Sequence, residues 1–519
     1  MTTVSANVVR KSLVSARAGI VFAGVLGMIS LIMASTMINV AVPHIMGAYG
    51  LGQDQAHWMS SGFLAAMTVS MLANAALVTR FGARAVFLGA ILLFTAASIG
   101  GLFAPNYAMV VLARATQGLC AGIVQPLVMG TLFLVFEPHE RGKAMGLVGM
   151  GIVMGPAIGP ILGGVIVDEI GWRYSFVGAV PFAVLAAIAG LLFMPGRDPK
   201  VHRAPFNVLS FCLITASTLL FLNGITAGQR EGWWDDRSFA MLFGAALSLA
   251  AFIAFELSSK RPLIQMRLFT YRMYVMSTVV GIMFGAGMFG SIYLAPILAQ
   301  SVHGYSATDA GIMLLPGSIV AMLTFAISGR LSQRLSPSIL MPVGLILFAV
   351  SNWWLAGSSM ATAFWALAWM IAFGRIGLGI VMPALNYSAL SAVPPELVPY
   401  ASGTLNFLRM TGAAFGVNAL AITLDMQFDS AYKSLRAMQT SANEATQAAM
   451  TDLSAVFTAG GLPMSTSNAA AMSYLRDMLS LKALEASFQT AFWALALVFV
   501  VAAVAAAVLM RETSSERQP

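Results

Sequence analysis

Charge is what this 519-residue chain has least of: Asp, Glu, Lys and Arg make up 9% of it, against 59% apolar side chains. A soluble domain carries about a quarter charged residues, so ordinary soluble folds are excluded, and disordered and collagen-like classes with them. Cysteine is nearly absent. Cys120 and Cys212 both lie inside apolar segments, which leaves no disulfide framework and no thiolate metal site. The five histidines are scattered, and no Ser/His/Asp set, acid pair or metal-ligand cluster stands at membrane depth, so neither an enzyme nor a cofactor is expected. The net charge of +8 would suit nucleic acid, but the bases come singly or in small groups at the ends of apolar runs. That placement reads as membrane topology, with no nucleic-acid partner.

What the chain has in abundance is long uncharged runs. A spanning helix needs about 20 apolar residues, and such runs predict an all-α membrane protein of fourteen transmembrane helices. They cover 19–43, 57–79, 85–104, 108–135, 143–167, 172–194, 206–226, 237–257, 275–299, 308–329, 338–357, 361–387, 401–426 and 488–510. An even number puts both ends on one side. Placing them in the cytoplasm gathers eighteen of the 28 Lys and Arg there, among them Arg10, Lys11, Arg17, Arg80, Arg84, Arg141, Lys143, Lys200 and Arg203. Seven fall outside, four of them (Lys433, Arg436, Arg476, Lys482) in one long loop where the positive-inside rule weakens. The first apolar run is too long for a signal sequence and is read as the first span.

Gly122-Ile123-Val124-Gln125-Pro126 in the fourth span recurs as Gly379-Ile380-Val381-Met382-Pro383 in the twelfth, as a chain built from two repeats would show. The charged stretches 195–205 and 258–274 bracket one extra helix pair. The expected organisation is a six-helix bundle over 1–197, a two-helix insertion over 198–260 and a second six-helix bundle over 261–519. The second bundle carries an extracytoplasmic loop at 427–487, in which helices are expected over 431–456 and 469–485, split by Gly460-Gly461-Leu462-Pro463.

The fifth span carries Gly151, Gly155-Pro156, Gly159-Pro160 and Gly163-Gly164, followed by Gly171-Trp172-Arg173. This resembles the antiporter motif of the major facilitator superfamily, in its fourteen-span drug:proton antiporter group, the EmrB/QacA type. Asn39-Val40-Ala41-Val42-Pro43, Arg114-Ala115-Thr116-Gln117-Gly118, the stretch from Pro296 and Gln300 to Leu315-Pro316-Gly317, and Asn406, Arg409 and Gly412 fit the same group in order. The resemblance covers essentially the whole chain and implies the major facilitator fold.

It also implies proton-driven export of amphipathic small molecules by alternating access, in a bacterial inner membrane. Glycines 151, 155, 159 and 163 share one helix face and admit a close neighbour; in the family that helix sits where the halves meet, so the seam with Pro156 is expected to seal one access state. Arg114 is the expected cavity charge and coupling residue, with Arg409 assisting. The cavity is expected among Asn39, Arg114, Gln117, Gln125, Tyr293, Gln300, Trp369, Asn386 and Asn406.

The chain departs from the family at its acids: Ala34, Thr79 and Gln333 stand where carboxylates are usual. Asp168 is then the best remaining proton carrier, with His44 and Asp54 behind it. An arginine with no opposing acid favours anionic or neutral substrates over cations. Partners implied are the substrate, protons, membrane lipid and, through the long loop, a periplasmic adaptor with an outer-membrane channel. Alternatives are an uncoupled or lipid-type carrier, and a sensor that keeps the transporter fold without turnover.

Overall fold

The structure is a computed structural model that describes residues 2–197, 206–232, 234–259, 262–332, 335–439 and 443–515. Gln333, Lys200 and Arg203 lie outside the described residues, as do the side chains of Arg10, Lys11 and Asp54. Most helices among the described residues follow from an apolar run. The helices are α1 (Thr2–Tyr49), α2 (Gln53–Phe81), α3 (Ala83–Leu102), α4 (Tyr107–Val135), α5 (Arg141–Glu169), α6 (Val180–Phe193), α7 (Val208–Glu231) and α8 (Asp236–Ser258). After these come α9 (Arg272–Ser301), α10 (Ala307–Leu331), α11 (Pro337–Ala356), α12 (Phe364–Ser391), α13 (Val398–Met438), α14 (Glu444–Ala459) and α15 (Met464–Ser515). Fourteen segments are long and apolar enough to cross a membrane, matching the fourteen expected runs; α14 is not among them. The face at which α1 begins is called the near face below, and the opposite one the far face.

Two turns show why the boundaries fall where they do. Gly82 joins α2 to α3 at φ +86°, and a Cβ there would stand 2.8 Å from the backbone of Arg197, so no other residue fits. The sixth crossing opens with a 3-10 turn, Trp172–Phe176, and becomes α-helical only near Pro181, because proline is favoured in a first turn and disfavoured inside a helix.

The segment after the thirteenth span differs from expectation. Instead of a helix over 431–456, α13 runs unbroken to Met438, a separate α14 begins where Asn443 caps the Ala445 and Thr446 amides, and α15 runs from Met464 straight into the last span. Only the break at Gly460–Pro463 falls where it was read. Ala- and Met-rich sequence has high intrinsic helix propensity, so the spanning helices extend past the membrane rather than stopping at its edge.

Glycine sets the packing inside each half. A Cβ on Gly122 of α4 would strike the Met67 carbonyl of α2, and one on Gly379 of α12 would stand 2.6 Å from Thr324 of α10. The repeated pentapeptide therefore packs its glycine against the corresponding neighbour in each half: second helix on fourth, tenth on twelfth. The inserted α7 and α8 pair with each other, and α7 also touches α2 and α13.

Candidate functional site

Charge at membrane depth must be matched by protein or water, and the three arginines there are matched very differently. Arg114, near the start of α4, is 1% exposed. Its Nε donates to the Met59 carbonyl (3.3 Å), Nη1 to the Ala34 carbonyl (3.1 Å) and to Gln117 Oε1 (2.9 Å), and Nη2 to the Ser35 carbonyl (3.5 Å). A carbonyl has two lone pairs, so one already used in a helix can accept again. The Phe63 ring lies 4.5 Å from the guanidinium, and Gln117 passes the network to Ser98 of α3 at 2.9 Å. Arg114 thus ties α1, α2, α3 and α4 together. It is enclosed by its own half rather than open to a cavity.

Arg409 of α13 is equally buried, at 2% exposed, but among the described residues has one hydrogen bond, from Nη2 to Asn406 Oδ1, and its Nε and Nη1 are buried with no partner there. Asn406 in turn donates to the Ser402 carbonyl (2.8 Å) and to Met129 Sδ of α4 (3.5 Å), the latter a bond across the halves. One turn toward the far face from Met129 on α4 is Gln125, whose Oε1 is buried and unmatched; one turn in the same direction from Asn406 on α13 is Arg409. Gln125 and Arg409 therefore stand at one level of the α4–α13 contact. On α12, Asn386 is fully buried with both amide atoms unmatched, and its neighbour Tyr387 packs on Phe133 of α4. Arg375 of α12 is half-buried, its stem passing Gly317 of α10, and makes no hydrogen bond or ion pair among the described residues.

The other expected site residues lie apart from this cluster. Asn39 is exposed and accepts from Ser60 Oγ at 3.2 Å. Tyr293 is half-buried at the far end of α9, and Gln300 is exposed and bonds back to the Pro296 carbonyl of its own helix. Trp369 is 60% exposed and lines a cavity of about 450 Å³ with Val320, Trp354 and Phe373, all from α10, α11 and α12 of one half. Asp168 and His44 are exposed toward the far face. Two carboxylates are buried: Glu256, which the sequence places at a helix end near the headgroups, and Glu485. Glu256 (2% exposed) accepts from the Leu263 and Ile264 amides, and Glu485 (3% exposed) pairs with Lys482 at 2.8 Å. The signal for Glu485 was a charge pair three residues apart just ahead of the last apolar run.

The glycine seam of α5 faces elsewhere than expected. Cβ atoms on Gly151, Gly155, Gly159 and Gly163 would meet Met28, Ile32, Met33, Thr36 and Met37, all on α1 of the same half, while Pro156 is exposed. The contact with the other half is made by a second set: Gly142, whose Cβ would stand 2.9 Å from the Gly329 carbonyl, Gly146, 2.6 Å from the Phe325 carbonyl, and Gly149 on the Phe325 ring. Gly403 of α13 approaches the Met71 carbonyl of α2, Asn74 donates to the Pro399 carbonyl (3.4 Å), and Gly130 of α4 faces Ser402. All these contacts lie toward the near face. Among the described residues, no side-chain hydrogen bond or ion pair joins α5 to α10.

Comparison with known proteins agrees with this architecture. Residues 24–417 match the family model described as Major Facilitator Superfamily. The chain is similar to an uncharacterized MFS-type transporter, YhcA, of Bacillus subtilis, 29% identical over 76% of this chain and 74% of that one. It is also similar to the tetracenomycin C resistance and export protein of Streptomyces glaucescens, 28% identical over 77% of this chain and 74% of the relative. Among solved structures, the human organic anion transporter MFSD10 shares the fold at 15% identity, with a TM-score of 0.61 over 94% of this chain and 99% of that one.

Proposed function

The chain belongs to the major facilitator superfamily, a multi-pass transporter family rather than an enzyme family, and on that footing we propose that it exports amphipathic small molecules by alternating access, driven by the proton gradient. The observation that carries this reading is the near-face contact of α5 with α10. Its closest approaches set Gly142, Gly146 and Gly149 against Gly329, Ser332 and Phe325, with no side-chain hydrogen bond or ion pair among the described residues, so the halves can part there by losing van der Waals contact alone. The moving units in this reading are 1–197 and 261–519, with 198–260 riding outside them. Residues 427–487 then form a helical cap on the far side. The distribution of Lys and Arg makes the near face cytoplasmic, in the inner (cytoplasmic) membrane, with both termini inside. Drug resistance and export among the relatives support the direction of transport. Bacillus has no outer membrane, so an outer-membrane channel is left out of the proposal.

Glu256 and Glu485 are already compensated; Asp168, exposed and without an ion pair among the described residues, is the proposed carrier of the proton. Arg114 holds α1 to α4 in register. With three arginines and no free acid at membrane depth, anionic or neutral substrates are favoured over cations. Everted vesicles containing the protein test the reading: an acid-inside gradient is expected to drive uptake of amphipathic fluorophores, and a protonophore to abolish it. Uptake indifferent to the protonophore would remove the coupling; no uptake of any fluorophore would remove the transport.

A further inference from the structure

A guanidinium has five N–H groups, and leaving a buried one unmatched carries a desolvation penalty that a matched one avoids. Arg375 is partly exposed, and none of its N–H groups is buried without a partner. Arg114 escapes the penalty because four of its N–H groups are bonded. Arg409 has neither advantage: it is 2% exposed, Nε and Nη1 are unmatched, and its single bond goes to a neutral amide. The unmatched atoms around it are not random in kind. Gln125 contributes an acceptor at the same level of α4, and Asn386, one turn closer to the near face beside Leu385, which shares Gly281 of α9 with Leu405 of α13, contributes one donor group and one acceptor.

Resting on the export reading, we infer that Arg409, with Asn386 and Gln125, binds the oxyanion of the transported amphipath, a carboxylate or sulfonate with a hydrogen-bond donor close to it. The Nη2–H that Asn406 leaves free forms, with the orphaned nitrogen on its own edge of the guanidinium, the planar fork that matches two oxygens of such a group, and the other orphaned N–H points to the opposite edge. Asn386 Nδ2 supplies a third donor. The acceptors Gln125 Oε1 and Asn386 Oδ1 take a hydroxyl or N–H beside the anion. Asn406 is a positioning residue: it holds one arm of Arg409 while bridging to Met129, so parting of the halves at the near face breaks the Met129 contact and opens this cluster to the cytoplasm. A cation is refused here by Arg409, and a neutral amphipath leaves the fork unmatched.

The test compares two fluorescent probes that differ at one group, 11-(dansylamino)undecanoate and its carboxamide, at pH 7.5. Each is titrated into purified protein in detergent and in phosphatidylcholine nanodiscs, and supplied to energised everted vesicles. The carboxylate is expected to bind roughly tenfold or more tightly than the carboxamide. Arg409→Gln is expected to bring that ratio near one, and a melting temperature close to that of the unaltered protein certifies that the variant is folded. Asn386→Leu is expected to weaken carboxylate binding several-fold and serves if Arg409→Gln does not fold. Displacement of the carboxylate by added phosphatidylglycerol assigns the oxyanion to a lipid headgroup and still supports the site. Equal affinities in the unaltered protein, or a ratio unchanged by Arg409→Gln, overturn the inference and mean that water alone solvates the group. If both probes are pumped equally, export stands and the inference falls; if the carboxylate binds selectively and neither probe is pumped, the site stands and export falls.

Discussion

The junction of α1 to α4 encloses one arginine, and the junction of α13 with α9, beside the Asn406–Met129 bridge to α4, encloses another; they differ in how their hydrogen bonds are met. Arg114 reaches carbonyls on two neighbouring helices and a glutamine on its own, and Phe63 covers it. Arg409 meets one asparagine. Polar groups fully matched inside one half make that half rigid, whereas unmatched ones beside the bridge between the halves store a demand that a ligand can meet. The first arrangement belongs to a body that moves as a unit, and the second to the place where two bodies part.

The largest effect expected from this contrast is on transport. Gly146→Leu places a side chain where even a Cβ would be 2.6 Å from the Phe325 carbonyl, so near-face closure fails and uptake into energised everted vesicles is abolished. Gly151→Ala, whose Cβ would stand 3.5 Å from Met28 Cβ, is expected to transport normally in the same assay. Next comes stability. Arg114→Ala is expected to destabilise the protein by about 3 kcal/mol, seen as a lower melting temperature in detergent, because a matched buried network is lost. Arg409→Gln removes a poorly matched charge and is expected to move the same melting temperature little; equal losses in the two variants would break the comparison. Gly159→Leu, which crowds the Thr36 side chain and the Met33 carbonyl within one half, is expected to cost about 1–3 kcal/mol in that melt rather than to act on the gate.

The smallest effect concerns pH at the far face. Burial pushes the His303 imidazole below its ordinary value near 6.5, with Glu485 nearby pulling the other way. Its folded form therefore prefers to be neutral, so this contribution to stability is present above that ordinary value and is lost as pH falls through the lower folded one. Thermal melts between pH 7 and 5 are expected to show a slight loss that His303→Phe removes.

The number and order of spans were legible because each is an uncharged run ended by charge or by a breaker, and the pairing of Gly122 with Gly379 was legible as a repeat. The glycines of α5 show where legibility ended. Spacing of four identifies a smooth face, but Gly142, Gly146 and Gly149 make a second one, and nothing along the chain states which face meets α1 and which meets α10. Trp369 was read toward a central cavity because its helix belongs there; its position around that helix, against Trp354 and Phe373, is set by tertiary packing. The carbonyls that satisfy Arg114 are backbone atoms of other helices, which have no sequence signature at all. The continuity of α13 to Met438 was hidden because the polar residues that mark the membrane edge do not interrupt a helix.

The claim on which the rest depends is that the halves part at the near face, between α4 and α13. A Cβ on Gly130 would stand 3.9 Å from Ser402 Cβ, within the range a disulfide spans. With Cys120 and Cys212 replaced by serine, the pair Gly130→Cys and Ser402→Cys is expected to cross-link on oxidation and to stop uptake into energised everted vesicles, with uptake restored by reductant. Full uptake by the cross-linked protein would show that transport does not pass through an opening at this face.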